Sequence, residues 1–114
     1  MSLAIAFVLA AAAPAPPAPP PGLQFGFWRI VAFEARAKQL GCPAGDLNGQ
    51  FEAIRKKLVS RYGKKAFAKP KIPDGGHGDC FAAVSVYRAN LGSFRREAEA
   101  ALAGPASDPF KPTE

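Results

Sequence analysis

Apolar positions along this chain recur at helical spacing in three stretches, and no stretch alternates with the period of two that a half-buried strand requires. Between Gln24 and Leu40, the residues Phe27, Ile30, Phe33 (with Val31 beside it), Ala37 and Leu40 line one broad stripe, which leaves Arg29, Glu34, Arg36 and Lys38 to face away. Gly41 stands where a glycine ends a helix, and Pro43 blocks continuation. From Leu47 to Lys65, the residues Leu47, Phe51, Ile54, Leu58 and Tyr62 repeat at steps of four, three, four and four, the seam of an amphipathic helix. Asp46 is placed to cap its start, with Asn48 as a rival, and Gly63 to fray its end. The third stretch follows Asp79, a good N-cap. Phe81, Val84, Tyr87, Leu91, Phe94, Ala98 and Leu102 carry its stripe through about six turns until Gly104-Pro105 stops it. Gly92 falls inside this helix, where glycine costs about 1 kcal/mol relative to alanine unless it admits a close crossing. The expected fold class is all-α, a small three-helix bundle.

Ahead of the bundle the pattern changes twice. Leu3 to Ala13 read LAIAFVLAAAA, uncharged and apolar but eleven residues long, whereas a helix that crosses a bilayer takes roughly 20. This is the core of a cleavable signal peptide, although Met1-Ser2 offers only the terminal amine where a basic residue is usual. The peptidase wants small residues before its cut and is obstructed by a proline just after it. Ala10-Ala11-Ala12 followed by Ala13 meets both conditions, and the absence of a nearby cysteine argues against lipoprotein processing. A cytosolic protein with an Ala/Pro-rich N-terminus is the alternative. Pro14 to Pro21, PAPPAPPP, reads as polyproline II, a stiff spacer of roughly 30 Å rather than a binding motif. The expected organisation is a signal peptide over 1–12, a Pro-rich spacer over 13–22, a helical domain over 23–104 and a flexible tail over 105–114. Such a protein is periplasmic or secreted, with no transmembrane segment after cleavage.

The domain left after processing has about 80 residues, few enough that a staple is commonly needed. Cys42 and Cys80 are the only cysteines, and in an exported protein an even count reads first as a bridge. Cys42 lies in the turn before the second helix and Cys80 at the start of the third, so a bond puts both helix starts at one end. The second helix then leads away by about 27 Å. The connection from Ala66 to Gly78, extended to at most about 43 Å, can bring the chain back. The third helix would run parallel to the second, with the first antiparallel to both. Closing a loop of about 39 residues is worth about 3.5 to 4 kcal/mol in the chain-entropy model. The competing reading is a reduced pair that joins His77 in thiol-redox or metal chemistry, since Cys80 at a helix N-terminus is where a thiolate is stabilised. His77-x-x-Cys80 is one ligand pair, weaker than a double CxxC signature, so no metal site is expected.

Charge adds a candidate binding surface. The chain carries a formal net charge of +6, and from Arg55 to Lys71 it holds eight basic residues and no acid: Arg55, Lys56, Lys57, Arg61, Lys64, Lys65, Lys69 and Lys71. Either these form a solvated face or they meet an anionic partner, which could be anionic lipid, polysaccharide or an acidic protein. Nucleic acid is disfavoured, because no helix-turn-helix or comparable recognition motif is present. Tyr62 and Phe67 among the lysines would suit a membrane surface if exposed, and core if not. Phe25, Phe27, Trp28 and Phe33 cluster near the domain start, with Trp28 the member expected to stay partly exposed.

Nothing points to an enzyme or to a cofactor. The nine acidic residues are scattered, and the glycines of Asp74-Gly75-Gly76-His77-Gly78 lack the preceding strand and the lysine of a phosphate cradle. The expected function is non-catalytic binding of an anionic envelope component or an acidic protein. A structural or assembly role through the aromatics and the spacer is a further alternative. Intact mass of the protein recovered from an exporting host tests the organisation. It should start at Ala13 and fall two hydrogens below the reduced mass; an uncleaved chain with two free thiols would overturn both expectations.

Overall fold

The computed structural model describes residues 15–75 and 77–104. The expected signal segment, its expected cleavage point and the tail from Pro105 lie outside the described residues. The described residues form three helices and no strand: α1 spans Pro21–Gln39, α2 Leu47–Tyr62 and α3 Cys80–Ala103.

The helix ends follow local chemistry. α1 begins three residues earlier than its stripe suggested, with the last proline of the tract as its first helical residue. A proline there lacks only an N–H that the first turn would leave unbonded, and its φ already suits a helix. The Pro20 carbonyl accepts from the amides of Leu23 and Gln24 at 3.1 and 3.2 Å. The helix thus takes in Pro21 and Gly22, which the sequence pattern had assigned to the spacer. α1 ends in a Schellman turn: Gly41 takes φ 69°, the Cys42 amide donates to the Ala37 carbonyl at 2.9 Å, and the Gly41 amide donates to Lys38 at 3.1 Å. Asp79 caps α3 by accepting from the Ala82 amide at 3.1 Å. Asp46 occupies the cap position of α2 but makes no cap hydrogen bond; its carboxylate accepts instead from the Gln50 side chain at 2.8 Å.

Cys42 and Cys80 are bonded, with their Cα atoms 5.3 Å apart. The Tyr87 hydroxyl donates to the Asn48 side chain at 2.7 Å near the starts of α3 and α2. At their far ends Arg61 reaches the Leu102 carbonyl at 2.8 Å. The two helices thus run parallel, and α1 runs antiparallel to α3, because Gly26 early in α1 faces Phe94 and Glu97 late in α3. Gly26 is also the close crossing. A β-carbon there would stand 3.2 Å from the Phe94 ring, whereas one at Gly92 would meet only the tip of Arg96 at 3.9 Å.

α3 packs on both other helices, while α1 and α2 touch each other little. Phe27, Phe51 and Phe94, one from each helix, join at the centre, with ring centroids 5.5 to 6.3 Å apart. The gap between α1 and α2 is filled by the return segment of residues 63–79. Its Phe67 is fully buried, edge-on to Phe27 at 5.2 Å and tilted against Tyr62 at 5.8 Å. The segment then follows α1 like a strap. Gln24 donates to the Ala66 carbonyl at 2.8 Å, Gln39 to the Pro73 carbonyl at 3.0 Å, and Arg36 to the His77 carbonyl at 3.3 Å.

Midway along the strap lies the main departure from the expected packing. Glu34, expected to face solvent, is buried. Lys69 reaches in from the strap to both of its carboxylate oxygens, at 3.0 and 3.3 Å. A carboxylate out of water needs such a partner, since desolvation otherwise exceeds what the fold supplies. Phe81, expected in the α3 stripe, is by contrast 80% exposed.

The pair gives a stability prediction. Lys69→Met leaves the buried carboxylate with only the more distant and exposed ammonium of Lys38, at 3.8 Å, and should cost about 2–3 kcal/mol. That lies at or below the lower end for a broken buried pair, because the lysine side chain is one-third exposed. Replacing both partners, as Glu34→Leu with Lys69→Met, should recover most of the loss in urea denaturation. Additive losses would show that the two groups do not act as a pair.

Candidate anion-binding face

The eight cations of the basic stretch divide by where the fold places them. Arg55 lies on the side of α2 that meets the strap. Its Nε donates to the Phe67 carbonyl at 2.8 Å and one terminal nitrogen to Glu52 at 2.9 Å. Lys69 bridges Glu34 to Glu52, the latter at 3.5 Å, with its ammonium 5.2 Å from the centroid of the Phe51 ring. Arg61 forks onto the last carbonyls of α3, at 2.8 Å to Leu102 and 2.6 Å to Gly104. A cation at that end answers the negative pole of the helix, and α3 has no basic residue in its own last turn. These three were expected to face a partner; the structure commits them to internal contacts, because each long side chain finds backbone or carboxylate oxygens within reach.

Five lysines remain exposed: Lys56, Lys57, Lys64, Lys65 and Lys71. Lys56 and Lys57 lie in the second half of α2, and Lys64 and Lys65 open the turn that follows it. Lys71 is far along the strap, next to Ile72, whose carbonyl is near the Gln39 side chain at the other end of α1. The stretch that is continuous in sequence is therefore a four-lysine cluster plus one distant lysine. Lys57 also borders a groove of about 500 Å³ between α2 and α3. Gln50 and Arg95, hydrogen-bonded to each other, line that groove with Glu99, so it is mixed in sign.

The acidic partners are tuned to the same contacts. Burial alone would raise the Glu52 carboxyl. The Arg55 hydrogen bond and the charges of Lys69 and Arg55 outweigh that and hold it below its ordinary value of 4.5. Burial, with the negative charge of Glu34, pushes the Tyr87 phenol upward, which keeps it a neutral donor to Asn48.

The other sequence candidates resolve simply. Cys42 and Cys80 are bonded to each other, so neither presents a thiolate, and His77 is exposed. No group of three His, Cys, Asp or Glu side chains among the described residues is arranged to hold a metal ion. Tyr62 and Phe67, which would have suited a membrane surface, are core. Phe25 and Trp28 are exposed, at 63% and 42%, and meet edge to face at 5.7 Å. No described helix is long and apolar enough to cross a membrane. No family model, curated protein or solved structure matches the chain.

Glu52 makes the stability depend on pH with a definite sign. Its folded value is below the unfolded one, so its contribution is present above the unfolded value and is lost as pH falls through the folded value. The melting midpoint should drop as pH is lowered from about 5 to about 3, and Glu52→Gln should flatten that limb. An equally steep limb in the variant would assign the acid sensitivity elsewhere.

Proposed function

We propose that the protein is an exported, non-catalytic binding protein, periplasmic or secreted, that meets an anionic envelope component or an acidic protein through Lys56, Lys57, Lys64 and Lys65. The observation that carries this reading is the exposure of these four lysines together on the end of α2 and its following turn. No acid lies between Arg55 and Lys71 in the sequence, and of the four lysines Lys57 shares a groove with Glu99. The nearest carboxylate on α2, Glu52, is already engaged by Arg55 and Lys69. Flexible ammonium groups on an open surface favour recognition of charge density over recognition of a shaped ligand.

Binding of this kind weakens with salt, because exposed charges are screened beyond about 8 Å at physiological ionic strength. A soluble polyanion such as heparin serves as the probe. Raising salt from about 50 to 300 mM should weaken binding steeply. Lys56→Gln, Lys57→Gln, Lys64→Gln and Lys65→Gln together should weaken it more than tenfold at the lower salt, while Lys71→Gln alone should change it little. Binding that ignores both salt and the four replacements would rule the reading out.

A further inference from the structure

The end of the bundle that carries Lys64 and Lys65 also carries the exposed aromatics. The Ala66 carbonyl, in the turn that Lys64 opens, accepts from Gln24 at 2.8 Å, which docks that turn on the first turns of α1. Trp28 stands four residues after Gln24, hence on the same face, and Phe25 is its ring neighbour at 5.7 Å. Arg29, also exposed, follows directly. The chain enters here too. A β-carbon added at Gly63 would come within 3.3 Å of Pro16, so the proline segment passes against the end of α2. One end of the molecule thus combines two exposed aromatic rings and at least three exposed cations.

We propose that this end docks on an anionic lipid surface, with Phe25 and Trp28 entering the headgroup region and Lys64, Lys65 and Arg29 bound to lipid phosphates. The inference rests on the anionic-partner reading above and names that partner. A soluble polyanion offers charge but no apolar layer, and would leave two large rings in water. An interface offers both, since aromatic rings favour the headgroup level while basic residues at its edge are drawn to the negative surface potential. The charge complementarity and the rings share one end. The opposite end, with the disulfide, has the exposed ring of Phe81, and its exposed Lys38 and Lys71 sit with the exposed Asp46, Asp74 and Asp79.

Trp28 is the only tryptophan, so its emission reports insertion directly. The processed chain, from Ala13, would be titrated with vesicles of phosphatidylcholine alone and of phosphatidylcholine mixed with phosphatidylglycerol. The anionic vesicles should shift the emission to the blue, and the neutral ones should not. Lys64→Gln with Lys65→Gln should weaken vesicle binding about thirtyfold and Phe25→Ser about tenfold, while Phe81→Ser at the far end should bind like the parent. Circular dichroism of each variant separates these losses from misfolding, as all four positions are exposed. Parent-like binding by both the lysine and the Phe25 variants would overturn the proposal, because neither the charges nor the rings of this end would then hold the surface. Heparin binding without any blue shift on anionic vesicles would overturn the lipid partner and leave the anionic-partner reading standing. Failure to bind either probe would remove both.

Discussion

The Cys42–Cys80 bond holds the start of α3 against the turn that precedes α2, and this fixes what the rest of the chain must do. Two successive helices that start at one end run in the same direction, so the chain has to travel back the length of α2, about 24 Å for its 16 residues. A short loop cannot do that. The return segment of residues 63–79 is long because of this constraint, and once present it has to be held. Phe67 anchors its beginning in the core and Lys69 its middle, while hydrogen bonds from Arg36 and Gln39 hold its last part. In a domain this small a long unanchored loop would add entropy cost without adding core. The strap meets that cost by becoming the layer between α1 and α2.

The same constraint explains which features were legible in the sequence. Helix periodicity located all three helices because each buries a stripe against the others, and the two cysteine positions gave the helix directions without any contact being known. Glu34 was misread because a charged residue was assigned outward by type. Its spacing places it seven residues after Phe27, four after Ile30 and three before Ala37, squarely on the apolar stripe. That spacing was the available signal; its partner was not, since Lys69 belongs to a segment with no periodicity. The internal contacts of Arg61 and Arg55 were not legible for a related reason. A wheel shows which way a Cα–Cβ bond points, but a guanidinium several bonds further out can fold back to a carbonyl of another element. Phe25 and Trp28 were legible as a cluster, and only the packed helix showed which rings remained outside.

The division of the cations follows from the shortage of other means of closing this bundle. Three helices give three C-terminal ends whose last carbonyls need donors. The Schellman turn serves α1, whereas the end of α3 draws on Arg61 from its neighbour. The strap, which has no ladder or helix to satisfy its carbonyls, draws on Gln24, Gln39, Arg36 and Arg55. Long polar side chains therefore supply the hydrogen bonds that regular structure would supply in a larger domain. The lysines of the basic stretch that the fold did not use are Lys56, Lys57, Lys64 and Lys65, on the second half of α2 and its following turn, and Lys71 at the other end of α1.

The two ends of the molecule are consequently unlike. At one, a covalent bond, a Schellman turn and the Asp79 cap fix three backbone segments close together. At the other, α1 and the turn after α2 are joined by the Gln24 hydrogen bond and by Phe67, and α2 and α3 by the Arg61 fork. Exposed charge at this second end repels itself in solution, and two exposed aromatic rings are poorly solvated there. Both terms oppose the free state and both are relieved by a surface that is negative and has an apolar layer beneath. The less cross-linked end thus holds both exposed rings of α1, while the disulfide end keeps the helix directions unchanged.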